Sequence, residues 1–175
     1  MILKAAKYAL GLVLAFQLAP QCFAQNSIFA KFDTFNCQGA MDREFPNSSA
    51  VFSIGLGATN TGTVGIGGGF KATFADIKLV KTLDDCTTQL LTNLSKGTRL
   101  KTVTIAIVNP ATATAPPTHV LNILLEDVVI TGDEFAEAVG GRPSEVVSLF
   151  WTKITITHVP SGAKFTWNRL TNSTF

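Results

Sequence analysis

Apolar and polar residues alternate with a period of two along most of this chain, which restricts it to strands with one buried and one wet face. Ile28, Ala30 and Phe32 alternate with Phe29, Lys31 and Asp33. Val103, Ile105 and Ile107 alternate with Thr102, Thr104 and Ala106, and Thr and Ile alternate cleanly from Lys153 to Thr157. The same chemistry runs from Phe70 to Lys81, with Lys78 and Lys81 flanking its apolar end, and through Val120–Thr131 and Val146–Val159. Pro160-Ser161-Gly162 is turn chemistry, so 151–159 and 163–169 are expected to form a hairpin.

One segment follows the helical period instead. Thr82 or Asp84 can cap it, Cys86, Leu90, Leu91 and Leu94 recur at helical spacing, and Lys96 and Gly97 close it. The expected fold is therefore mainly β, an antiparallel barrel or sandwich with one short helix at about 83–96 packed over an opening. Two connections are long for such a fold: Gly55 to Gly69, with seven glycines, and Asn109 to Thr118, rich in Ala, Thr and Pro. Long loops on rigid scaffolds are often contact surfaces.

A chain of 175 residues holds one domain with its own core. With 46% hydrophobic and 15% charged residues it is neither a disordered tail nor a strongly charged nucleic-acid binder. Lys4 and Lys7 lie in a segment that carries no acid; apart from them, the 14 basic residues reduce to 12 against 12 acidic ones. Electrostatic capture of nucleic acid or anionic lipid is therefore disfavoured.

Residues 1–24 read as a cleavable export signal. Lys4 and Lys7 form the basic region, Tyr8 to Ala19 the apolar region, and Cys22-Phe23-Ala24 places small residues three and one positions before Gln25. The apolar stretch is short for a bilayer span. A lipoprotein signal using Cys22 is the rival, weakened by the bulky Gln21. Cleavage after Ala24 predicts a secreted or periplasmic domain of residues 25–175. It leaves Cys37 and Cys86, which an oxidising compartment favours as a disulfide. Metal binding by the two thiols would need His119 or His158 to converge with them, without any CxxC spacing.

No catalytic or cofactor motif survives inspection. The glycines Gly65, Gly67, Gly68 and Gly69 precede a strand rather than a helix, so they lack the amide dipoles of a phosphate cradle. There is no Gly-x-Ser-x-Gly elbow, and Glu126-Asp127 and Asp133-Glu134 are neighbours on strands, where side chains point to opposite faces. Trp151, Trp167, Phe150 and Phe165 are expected to pack across the C-terminal hairpin, with a stacking platform for sugars or bases as the alternative. Phe175 does not begin a lipid-facing alternation, since Ser173, Thr171 and Arg169 precede it by twos. No enzyme activity and no cofactor are expected.

Several stretches resemble the haemolysin-coregulated protein (Hcp) family, the tube proteins of bacterial type VI secretion. Ile28-Phe29-Ala30-Lys31-Phe32-Asp33 looks like its first strand, and Gly67 through Phe70 to Lys81 resembles its glycine-led strand. The helix from Thr87 through Leu94 to Gly97, the run Leu121 to Ile130 with Glu126-Asp127, and Glu145 to Phe150 leading into Lys153-Ile154 and Val159-Pro160 follow in the family's order. The resemblance covers about 67–160, and 27–35 more loosely. It implies a β-barrel protomer that forms hexameric rings, rings that stack into a tube, and a lumen that carries effector proteins. It also implies that the loop from Ile54 to Phe70, with Gly57, Asn60, Gly62, Gly65, Gly67, Gly68 and Gly69, grips the next ring. A leader and a Cys37–Cys86 staple are not part of the family pattern and together point to an exported relative. A small exported β-barrel module binding carbohydrate or peptide is the second reading.

Overall fold

The computed structural model describes residues 27–37, 45–61, 71–111, 115–136 and 143–175. The segment read as a leader and the glycines Gly62, Gly65, Gly67, Gly68 and Gly69 lie outside these residues. The described strands are β1 (Ser27–Phe32), β2 (Ser49–Gly55), β3 (Ala58–Thr61), β4 (Lys71–Phe74), β5 (Ile77–Thr82), β6 (Arg99–Asn109), β7 (Thr118–Ala136), β8 (Ser144–His158) and β9 (Ala163–Asn168). Helix α1 (Thr87–Lys96) falls between β5 and β6.

The antiparallel order β5-β2-β1-β6-β7-β8 closes on itself because β8 also pairs with β5. β8 does this by dividing its length. Ser144 to Leu149 pair with β5, and Lys153 to His158 pair with β9, which adds an extra strand outside the closed barrel. The alternation read from the sequence supplies the core in cross-strand rows. Ala30, Ile105, Ile123 and Ile156 form one row, and Val103, Leu125 and Ile154 continue Phe32 in the next. Leu79 opposite Val147 and Ile77 opposite Leu149 seal the seam. Phe32, Ile77, Leu79, Leu100, Ile105, Leu125, Leu149 and Ile154 are at most 1% exposed, and each such side chain contributes roughly 1.5–3 kcal/mol of transfer free energy.

Two expected boundaries move. The run from Phe70 to Lys81 is two strands, because β4 pairs with β3 and β5 pairs with β2 and β8, with Ala75-Asp76 as the break. The helix begins at Thr87 rather than near residue 83, since Thr82 is held in β5 opposite Ser144. Asp84 still serves the helix entrance: its Oδ1 accepts the Cys86 amide at 2.9 Å, while its own amide donates to Thr87 Oγ1 at 3.1 Å. At the far end Gly97 adopts φ +59°, its amide donates to Leu94 O, and the Thr98 amide donates to Asn93 O. That pair of bonds is a Schellman stop. Leu90 is the fully buried helical side chain, and Leu94 packs against the same core.

Cys37 and Cys86, both buried, are joined in a disulfide across a sequence separation of 49. It ties the segment after β1 to the residue that opens α1. Closing a loop of that length removes roughly 4 kcal/mol of chain entropy from the unfolded state. Replacing both cysteines by alanine is expected to lower the guanidinium unfolding free energy by about that amount, with far-UV circular dichroism unchanged. Reduction of the native chain should produce the same shift.

Candidate assembly surfaces

The described part of the glycine-rich stretch includes a strand, β3, rather than being loop throughout. β2 ends at Gly55, the Ala75 amide donates to Gly57 O at 2.9 Å, and β3 then pairs with β4 from Ala58–Phe74 to Thr61–Lys71. All four β3 residues are exposed, including Asn60, which stands opposite Ala72. β3 and β4 form their own two-stranded sheet, hydrogen-bonded to no other described strand.

Phe74 holds this hairpin to the barrel. Its ring lies 5.5 Å from that of Trp151, 5.4 Å from Trp167 and 6.1 Å from Phe165. Trp151 is fully buried between the β5-paired and β9-paired parts of β8, and Trp167 is half-buried against the core. The tryptophans therefore pack together as expected, and they are not a free stacking platform. Arg169 locks the arrangement from the C-terminal side. It donates to Phe74 O at 2.6 Å, pairs with Asp76 at 3.3 Å, and lies 4.3 Å over the Phe150 ring and 5.0 Å over Trp151. Sequence reasoning gave Arg169 no packing role, because Phe74 and Asp76 lie more than 90 residues away from it.

Among the described strands β9 pairs only with β8, and the C-terminal residues fold back along it. Asn168 bridges Ser173, and Thr166 Oγ1 meets both the carbonyl and the amide of Phe175. Its exposed start at Ala163 to Phe165 is left as an open strand edge, the kind that natural sheets cover with a neighbour. Phe52, Phe135 and Leu170 are the most exposed large apolar side chains besides Phe175.

The outer barrel face carries a cleft of about 360 Å³ between Phe29, Phe45, His119, Asn122 and Thr155. Phe45 stacks on Phe29 at 4.6 Å and meets His119 at 5.1 Å. His119 contacts Asn122 Oδ1 at 3.1 Å, whereas His158 contacts Ser161 at the β8–β9 turn. Neither histidine joins the disulfide, and the described residues contain no cluster of three metal-ligating side chains. None of the described helices is long and apolar enough to cross a membrane.

Asp133 and Glu134 separate as the strand period requires, but the period breaks at Asp127, between the buried Leu125 and Val128, and Glu126 and Asp127 line one cleft with Lys101 and Lys153. Asp127, at φ +54°, turns to Arg99 at 2.8 and 2.9 Å and accepts from Thr152 Oγ1 at 2.7 Å. The Thr152 hydrogen bond, aided by the Arg99 contact and charge, lowers its carboxyl below the usual carboxylate range despite partial desolvation. Asp133 diverges from Glu134 and instead faces Glu145, a pairing invisible at the level of adjacent residues.

The family model described as type VI secretion system effector, Hcp, matches residues 31–158. The chain belongs to the Hcp family. Solved Hcp structures share this fold at low identity. Hcp1 of Salmonella typhimurium aligns with a TM-score of 0.72 at 18% identity, over 86% of this chain and 99% of that one. A type VI secretion system effector from Yersinia pestis gives 0.65 at 22%, over 81% and 98%. The secreted protein Hcp3 of Pseudomonas aeruginosa gives 0.57 at 19%, over 82% and 96%. No curated protein sequence matches. Within the Hcp barrel described above, Arg169→Ala is expected to cost about 2 kcal/mol, since it strips a hydrogen-bonded, ring-stacked guanidinium. Hydrogen exchange should then rise selectively in β3 and β4.

Proposed function

We propose that this chain is an exported tube subunit that forms hexameric rings, stacks them, and works by assembly rather than catalysis. The match to the Hcp family model over residues 31–158 carries the reading. The projecting β3–β4 hairpin and the open start of β9 supply surfaces suited to it. A glycine-rich tip can reshape onto a partner, and neighbouring protomers cover sheet edges in a closed ring. Gly57, Asn60, Gly62, Gly65, Gly67, Gly68 and Gly69 form the stacking segment, and the ring's lumen receives small effector proteins. The leader 1–24 directs the chain out of the cytoplasm, and the Cys37–Cys86 bond suits that compartment. Burial of Trp151 and packing of Trp167 weigh against the alternative, a carbohydrate-binding module built on those rings.

Light scattering of residues 25–175 behind a sizing column, without reductant, is expected to give a mass near six protomers. A monomer at all concentrations would remove the tube reading. Replacing residues 62–69 by a short Gly-Ser turn should leave the ring mass unchanged and abolish stacking in electron micrographs.

A further inference from the structure

Among the described residues, the end of the barrel where β5, β7 and β8 meet holds more acid than base. Lys81 and Glu145 stand directly opposite each other on β5 and β8, and both are fully buried. Lys81 Nζ donates to Glu145 Oε1, to Asp84 Oδ1 at 2.8 Å and to the Thr82 carbonyl at 2.8 Å, which uses all three of its N–H bonds. Thr87 Oγ1 also donates to Glu145 Oε1, and Ser49 Oγ donates to Asp84 Oδ2. After these bonds are made, Glu145 Oε2 and both carboxylate oxygens of Asp133 are buried without a hydrogen-bond donor. One lysine thus faces three carboxyl groups, one each from β7, β8 and the β5–α1 connection.

Buried carboxylate oxygens that lack a donor are strongly unfavourable when ionised. A proton on Asp133 corrects this in one step: it removes a charge and supplies an O–H that Glu145 can accept. We propose that Asp133 holds a proton at this end of the barrel and donates it in a hydrogen bond to Glu145, forming a pH-operated latch across the β7–β8 hairpin. Burial, then the adjacent Glu145 charge and hydrogen bond, push the Asp133 carboxyl up to about 6, with Lys81 opposing them. The remaining groups packed here, Ser49 from β2 and Thr87 from α1, do not titrate in this range, and the neighbouring Glu134 is exposed.

The direction of the effect follows from the raised value. An acid that is harder to ionise in the folded chain adds stability that is complete below its ordinary pKa of 3.8 and is withdrawn as pH rises through about 6. The latch is therefore closed in mild acid and loosened above neutrality. Phe135, 59% exposed two residues beyond Asp133, projects from the hairpin it controls, so the apolar surface offered there depends on pH.

Carbon-13 NMR of the Asp133 carboxyl in the native chain is expected to show a midpoint near 6; a midpoint below 5 would overturn the proposal. Hydrogen exchange, corrected for its intrinsic pH dependence, supplies a second readout. Between pH 5 and 7.5, amides of 131–136 and 144–148 should gain about tenfold in opening relative to β6, as a shift from 3.8 to about 6 requires. Asp133→Asn donates without titrating and should abolish that gain. An Asp133→Asn profile that parallels the native one would contradict the latch.

Discussion

The pairing of β5 with the first half of β8 is the contact on which the rest of this molecule depends. It turns an open antiparallel sheet into a closed barrel, so that strand edges inside the domain are consumed. Its register also sets Ile77 against Leu149 and Leu79 against Val147 inside the core, and Lys81 against Glu145 at the end. Closure has a second consequence. β8 can pair with β5 along only part of its length, so its remaining half, still paired with β7 on one side, carries β9 on the other. The platform formed there by Trp151, Trp167 and Arg169 is what the β3–β4 hairpin rests on, through Phe74.

This arrangement separates a rigid body from the parts suited to contact. The disulfide and α1 close one region of the barrel, with Cys86 both opening the helix and anchoring the segment after β1. The hairpin, by contrast, is exposed along β3 and fastened mainly by one aromatic side chain and one guanidinium. The Hcp family supplies the context in which such a division has a use.

Much of the fold was legible because local patterns and tertiary pairing agree. The Thr–Ile alternation of β8, the Val–Thr alternation of β6 and the glycine stop at Gly97 each state their structure within a few residues. Misreadings arose where distant partners decide. Thr82 has the chemistry of a helix cap, yet Ser144 holds it in a strand. Residues 70–81 look continuous, yet their two halves pair with different strands. Lys81 reads as a solvated flank of an apolar run, but Glu145, 64 residues away, draws it inside. The surroundings of Asp133 and the stacking of Arg169 stay hidden for the same reason, since Lys81 in the one case and Phe74 and Asp76 in the other lie far off in sequence. The side chains that hold the β3–β4 hairpin in place were therefore not legible in the sequence.

Electron cryomicroscopy of the oxidised chain 25–175 tests the central claim most directly. The account predicts six-fold rings in which β3 and β4 reach across to the adjoining ring, with Phe74 and Arg169 seated as described here. Rings whose hairpins face solvent while another surface makes the stacking contact, or single barrels with no ring at all, would contradict it.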